Sequence, residues 1–371
     1  MTDKRPVVLY GASGFSGRLI AEFLREFHVP FIAAGRDGAK IKDVMAGVPG
    51  IGTADYEVVE VAHEVDALAE VFAGARVVCN SVGPCFRFAP TVVEAALKAG
   101  CHYIDTGGET PWVRAAKEDW GEKFAAANLL LGPATAYMSA TAEIATMIAI
   151  ENAPGIDTLE ILSMFKGNPS YGSAQTIYGQ MVYESIYLEN NEYVTWPPMT
   201  VLDVSIPGSI MTHKALPWGG FPHPIWFKEH PHIANVRSFG GILDPVIMAG
   251  VVAGERDYFE KLKPLPLEEQ SRILGELADA AQGATPPREN RHDNRTVDIV
   301  MGRGNLESAH VVVLGTGAYL QTGLIQAFAA HHLMFKEPLA TGFSSPCSAF
   351  GHLALLKALE SYGFVKLSVV S

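Results

Sequence analysis

Val7-Val8-Leu9-Tyr10 is an apolar run of the length of a buried strand. It breaks on Gly11, Gly14 and Gly17 before Leu19, Ile20, Phe23 and Leu24 open a helical repeat. A strand, a glycine turn and a helix in that order make a dinucleotide site. A turn without Cβ atoms lets backbone N–H groups approach a pyrophosphate, and the N-terminus of the following helix offers it unpaired donors and a partial positive charge. The spacing is G-x-x-G-x-x-G, a variant of the commoner G-x-G-x-x-G. Gly11, Ala12, Ser13, Gly14, Phe15 and Gly17 are the expected cradle, with Gly17 placed where the helix packs closely on the strand.

Val29 to Ala34 reads as the second strand of a right-handed crossover and ends in Gly35-Arg36-Asp37. The adenosine ribose lies at the tip of this strand in such folds. An acidic residue there grips the 2′-hydroxyl of NAD, whereas Arg36 suits a 2′-phosphate. NADP is therefore expected in preference to NAD; in the other reading Arg36 is solvated and Asp37 takes the ribose. Tyr56 to Ala62 reads as a third strand, Val65 to Phe72 as a helix, and Ala75 to Asn80 as a fourth strand. The turn Ser81-Val82-Gly83-Pro84 follows, where the nicotinamide ribose is expected. A helix from Pro90 to Ala99 stops at Gly100, which suits a left-handed cap. Cys101 to Asp105 returns as a strand into Thr106-Gly107-Gly108-Glu109.

These residues resemble the saccharopine dehydrogenase-like oxidoreductases, a broad family that includes saccharopine reductases and trans-acting enoyl reductases. Four motifs carry the resemblance: Gly11 to Gly17, Ala34-Gly35-Arg36, Asn80 to Pro84, and Ala99 to Glu109. The resemblance implies a doubly wound Rossmann domain, a second α+β domain, and a C-terminal helix that returns to the first. It places Asp105 in the loop at the cofactor. Where many relatives carry a glycine, aromatic, aspartate and serine turn, this chain has Thr135-Ala136-Tyr137-Met138-Ser139-Ala140, without the aspartate. Lys166 to Thr176 is similar to the family's glycine- and hydroxyl-rich segment facing the cofactor, so Lys166, Tyr171 and Tyr178 are candidates to donate the proton. A solvated turn lysine and core-edge tyrosines are the structural alternative. Tyr319-Leu320-Gln321-Thr322, Pro346 and Phe350-Gly351 are similar to the family's C-terminal end. The expected domains are 1–134, 135–330 and 331–371.

The chain has 371 residues, 48% of them hydrophobic and 18% charged, enough for two or three domains with sizeable cores. A formal charge of −12 argues against nucleic acid, which selects a basic face. Cys79, Cys85, Cys101 and Cys347 form no C-x-x-C pair, so buried thiols in a reducing compartment are expected rather than zinc or disulfides. Met1 to Pro6 runs directly into the first strand and leaves no room for a signal peptide, and no apolar run is long enough for a membrane span. A cytoplasmic homodimer is expected.

Thr158 to Phe165 reads as a strand, and Gly240-Gly241 as the cap of a short apolar helix reaching Gly250. Pro264 to Gly283 contains a surface helix, Thr285 to His292 is a polar loop, and Thr296 to Met301 pairs with His310 to Gly315. Tyr193 to Phe239 is dense in proline and aromatic residues, Trp196, Trp218 and Trp226 among them, with no sustained period. A pocket for a small hydrophobic substrate is one reading of it; an oligomer interface or a peripheral contact with lipid is the other. His213, His223, His230 and His232 have no convergent spacing and are interrupted by prolines, so no metal is expected. Together these readings point to an NADP-dependent reductase of an unsaturated, lipid- or terpenoid-like C=C bond. Saccharopine-type C–N chemistry and a non-catalytic nucleotide-binding scaffold are the alternatives.

Overall fold

A computed structural model of the chain describes residues 5–217, 221–281 and 286–370; Met1 to Lys4, Trp218, Gly283 and Thr285, on which parts of the sequence reading fall, lie outside the described residues. The chain runs β1 (Val7–Tyr10), α1 (Phe15–Glu26), β2 (Phe31–Gly35), α2 (Gly38–Ala46), β3 (Tyr56–Glu60), α3 (Val65–Phe72), β4 (Val77–Asn80), α4 (Cys85–Ala99) and β5 (His102–Asp105). It continues with α5 (Thr110–Ala115), α6 (Gly121–Ala126), β6 (Leu130–Gly132), α7 (Ser139–Asn152), β7 (Ile156–Lys166), α8 (Tyr171–Gly179), β8 (Ile186–Glu189), β9 (Glu192–Thr195), β10 (Leu202–Ser205), β11 (Thr212–Ala215), α9 (His223–Trp226) and β12 (Asn235–Ile242). The last part holds α10 (Pro245–Asp257), α11 (Leu267–Ala280), β13 (Arg295–Gly304), β14 (Ser308–Gly315), α12 (Ala318–Phe335), β15 (Gly342–Phe343), α13 (Pro346–Phe350), α14 (His352–Ser361) and β16 (Val365–Val370).

Two compact units result, one of Met1–Gly108, Trp112–Ala140 and Tyr319–Tyr362, the other of Glu109–Pro111, Thr141–Ala318 and Gly363–Ser371. Relative to the expected spans, the first boundary lies at 140/141 rather than 134/135, and the second at 318/319 rather than 330/331. The expected C-terminal segment is also divided: α14 stays in the first unit, while β16 pairs antiparallel with β14 in the second.

The first unit is a parallel seven-stranded sheet in the order β15-β6-β5-β4-β1-β2-β3. All residues of β1, β2, β4 and β5 are buried, which is why these strands read as continuous apolar runs rather than alternating ones. The strand order reverses at β1, between β2 and β4, so the carboxyl ends of these strands flank the crevice in which such sheets bind ligands. Gly100 ends α4 at φ +72°, the left-handed cap its position implied. That helix starts at Cys85 and not at Pro90, because the Pro84 carbonyl already accepts from Arg87 and Phe88, and Pro90 is carried inside it.

The second unit is a mixed seven-stranded sheet, β16-β14-β13-β7-β12-β8-β9, with the β10-β11 pair beside it. Leu162, Met164, Phe239, Val297, Ile299 and Val312 pack as one core cluster. The segment 193–239, expected to be irregular, contains most of β9, all of β10, β11 and α9, and the greater part of β12. Its strands of four residues are too short to display a period. Gly240 and Gly241 are not a helix cap but the end of β12. Gly240 exchanges two hydrogen bonds with Leu216, and a Cβ on Gly241 would lie 2.7 Å from the Lys214 carbonyl oxygen. The cap of the following helix is Asp244, whose carboxylate accepts from the Val246 and Ile247 N–H groups at 2.9 and 3.0 Å.

Candidate functional site

The glycine turn is built as its sequence requires. Gly11 leaves β1 at φ +90°, and a Cβ there would lie 2.8 Å from Ser81 Oγ and 2.9 Å from Val82 Cγ2. The turn folds on itself through Gly14 N–H donating to the Gly11 carbonyl at 2.9 Å, and it is tied to β2 through Gly11 N–H donating to the Ala34 carbonyl at 2.9 Å. Gly14 is the N-cap of α1 and contributes no side-chain cap, so the first-turn N–H groups remain available to an anion. Gly17 is the tightest point: an added Cβ would lie 2.3 Å from the Gly11 carbonyl oxygen and 2.9 Å from Ala12 Cα. Ala12 is fully buried, whereas Ser13 and Phe15 are half-buried.

Ser81 to Pro84 borders the same turn. Ser81 Oγ lies 3.1 Å from both the Tyr10 and Gly11 carbonyls, and the Val82 N–H donates to Asn80 Oδ1 at 3.0 Å. Asn80 is oriented in turn by a buried chain in which its amide donates to Tyr103 OH at 2.9 Å and that hydroxyl donates to Asp105 Oδ2 at 2.8 Å. Burial holds the Tyr103 hydroxyl well above the ordinary tyrosine range, with the Asp105 carboxylate the next cause, so it remains a donor.

Asp105, expected in the loop at the cofactor, is an internal hub. It is fully buried, Oδ2 also accepts from Trp112 Nε1 at 2.8 Å, and Oδ1 accepts from Gly107 N–H at 2.8 Å and Ala134 N–H at 2.9 Å. With both oxygens engaged by protein donors, the carboxylate shapes the loops after β5 and β6.

At the tip of β2, Arg36 is exposed and makes no hydrogen bond or ion pair with any described residue. Asp37, the alternative ribose partner, caps α2 by accepting from Lys40 N–H at 2.9 Å. Glu60, at the end of β3, accepts from Gly38 N–H at 2.8 Å. Beside Arg36 stands an aromatic wall that the sequence reading missed. Tyr10 OH lies 2.9 Å from His63 Nδ1, their rings are stacked at 5.9 Å, and His63 meets Phe88 edge-on at 5.5 Å. Burial, then the Arg36 charge, pull His63 below its ordinary value, against a hydrogen bond that the ring donates to the Phe88 backbone, so the neutral ring is favoured. His63 follows β3 at the sheet's carboxyl edge, and that position was the signal available for it. An uncapped helix N-terminus, an aromatic wall and an unpaired guanidinium suit a purine dinucleotide with an extra phosphate.

Helix α12 supports this site from within the same unit. A Cβ on Gly323 would lie 3.0 Å from the Leu19 backbone, so α12 rests directly on α1, and the Tyr319 ring meets Phe15 edge-on at 4.8 Å. Gln326 Nε2 donates to the Asp105 and Thr135 carbonyls at 2.8 and 2.7 Å.

The three candidate proton donors are not brought together. Lys166, at the end of β7, is ion-paired with Asp293. Tyr171 is 54% exposed and donates to Asp279 at 2.8 Å, a bond that raises its hydroxyl above the usual range. Lys166 is the solvated lysine of the structural alternative, whereas Tyr171 lies at the surface rather than at the edge of the core. Tyr178 is half-buried, and its hydroxyl has no partner among the described residues. Among the described residues no group of three or more histidine, cysteine, aspartate or glutamate side chains is placed to hold a metal ion, and no helix is long and apolar enough to cross a membrane.

Comparison with known proteins agrees with this geometry. Residues 140–371 match the model of a family of unknown function, DUF5938. The chain belongs to the DUF5938 family. Residues 7–127 match the saccharopine dehydrogenase NADP binding domain, so this DUF5938 chain carries that domain ahead of its family region, with NADP as the domain's cofactor. The fold matches that of saccharopine dehydrogenase (L-Glu forming) from Saccharomyces cerevisiae, with a TM-score of 0.63 over 99% of this chain and 100% of that one at 13% identity. A trans-acting enoyl reductase of Mycobacterium leprae is 36% identical over 117 residues, 30% of this chain and 28% of its own length. A lipid droplet localized protein of Caenorhabditis elegans is 29% identical over 157 residues, 40% of this chain and 37% of its own. The chain thus spans about a third of the length of these curated relatives.

Proposed function

We propose that this DUF5938 protein is an NADPH-dependent reductase of a hydrophobic unsaturated substrate, with a C=C bond conjugated to a carbonyl as the reacting group. The observation that carries the reading is the unpaired Arg36 at the tip of β2, next to a glycine turn whose helix N-terminus is uncapped. Similarity to trans-acting enoyl reductases over 30% of the chain supports C=C over C–N reduction. The apolar and aromatic composition of 193–239 supports a hydrophobic substrate.

When bound, NADPH supplies the hydride. The first-turn N–H groups of α1 hold the pyrophosphate, Arg36 the 2′-phosphate, and Ser81 to Pro84 border the nicotinamide side, with Asn80 and Asp105 fixing that loop from behind. Tyr178 is the proposed proton source, because Lys166 and Tyr171 are engaged by Asp293 and Asp279. The test is NADPH consumption, followed by absorbance, with medium-chain enones, ketones and cyclic imines offered separately. Turnover with the enones is expected. Turnover confined to imines would instead support saccharopine-type chemistry, and none with any of the three would favour the non-catalytic scaffold.

A further inference from the structure

The second unit contains a cavity that the nucleotide chemistry does not use. It lies between the end of α8, the β9 strand with Trp196-Pro197-Pro198 after it, and α10, and its apolar lining includes Ile177, Met181, Leu216, Val251 and Phe259. Glu184, Ser185, Thr195, Tyr258 and Lys263 line it as well, and Glu255 and Trp196 each bring to it a buried polar atom that makes no hydrogen bond. Glu255, on α10, has an Oε2 that is buried and accepts from nothing, and Trp196 has an indole N–H that is buried and donates to nothing. Neither atom has a hydrogen-bond partner among the described residues. Burial raises the Glu255 carboxyl to about 7, the response of an acid left in apolar surroundings without a compensating donor.

An unsatisfied donor and an unsatisfied acceptor in one mainly apolar cavity define a complementary ligand. Buried polar groups are paired in native proteins, and an orphan carboxyl is destabilising unless it serves something that binds there. A hydrocarbon alone would leave both groups unpaired. An amine would satisfy the carboxyl and not the indole. A carboxylate would face the Glu184 and Glu255 carboxyls, with the Lys263 ammonium to offset only one of them, and would bring no donor to Glu255. A hydroxyl donates to the carboxyl and accepts from the indole at once.

We infer that this cavity is a binding site for an apolar alcohol, a fatty or isoprenoid chain ending in a single hydroxyl, held by Glu255 and the Trp196 indole. The inference concerns binding by the second unit alone and does not depend on the proposed reduction. It is tested without NADPH, so a failed reductase assay leaves it standing.

The experiment is isothermal titration of the full chain at neutral pH with n-decanol, with n-decane and decanoate as comparators. Saturable one-site binding of n-decanol is expected, with decane and decanoate each weaker by about ten-fold or more. Glu255→Leu should weaken decanol by about ten-fold, leave decane unchanged, and raise the urea midpoint of the ligand-free protein, because it removes an unpaired buried carboxyl. Val251→Trp, which fills the cavity, should abolish binding of both. Decane binding as tightly as decanol, or decanol affinity unchanged in Glu255→Leu, would overturn the hydroxyl assignment. Binding that survives Val251→Trp would overturn the site.

Discussion

Replacing Gly17 with alanine is expected to abolish NADPH binding at concentrations that saturate the unmodified chain, and to lower stability by about 3 kcal/mol. The added methyl would stand 2.3 Å from the Gly11 carbonyl oxygen and 2.9 Å from Ala12 Cα, both backbone atoms that no rotamer change can move aside. The helix must therefore rise off the turn. That withdraws its N–H groups from the pyrophosphate position and opens a gap under Leu19 and Ile20, which are buried in the core. Gly52→Ala is the matching control: its Cβ meets nothing within 4 Å, and stability should change by less than about 0.5 kcal/mol. Urea unfolding and a tryptophan-fluorescence titration with NADPH read both effects. A Gly17→Ala protein as stable and as tight-binding as Gly52→Ala would contradict the close packing of α1 on its strand.

Asp105→Ala should be nearly as damaging, at about 4 kcal/mol in urea unfolding, by leaving several buried donors unpaired at once. Those donors are the Tyr103 hydroxyl, the Trp112 indole and the Gly107 and Ala134 N–H groups. Asp105→Asn keeps one acceptor oxygen and turns an amide donor toward the others, so an intermediate loss is expected. Because Tyr103 also orients Asn80, which in turn holds the Val82 N–H, NADPH affinity should fall with stability. A loss below about 1 kcal/mol in Asp105→Ala would show that the loops keep their shape without the hub.

The nucleotide half was legible because each of its signals is local. Val7 to Gly17 contains its strand, its turn and its close contact within a few residues, and Gly100 announces the end of α4 by the same logic. What the sequence hid was tertiary. The role of Asp105 depends on Trp112 and Ala134, brought to it by the fold, and nothing in its immediate sequence distinguishes a hub from a ligand contact. His63 became visible only when Tyr10 and Phe88 closed around it. Gly240-Gly241 misled because a glycine pair before an apolar run also signals a helix cap, whereas here it admits the backbone of Lys214 and Leu216. The aromatic segment was opaque because its strands are four residues long and its prolines interrupt any period, although Trp196, Pro197 and Pro198 proved to line a cavity.

Titration of NADPH and NADH into the unmodified chain and into Arg36→Ala, followed by intrinsic fluorescence, tests the central claim most directly. The unmodified chain should bind NADPH about ten- to a hundred-fold more tightly than NADH, the worth of charge-assisted hydrogen bonds to one phosphate. Arg36→Ala should erase that difference by weakening NADPH alone. Equal affinities for the two in the unmodified chain, or an Arg36→Ala protein that loses both in equal measure, would contradict the assignment of Arg36 to the 2′-phosphate and of this site to NADP.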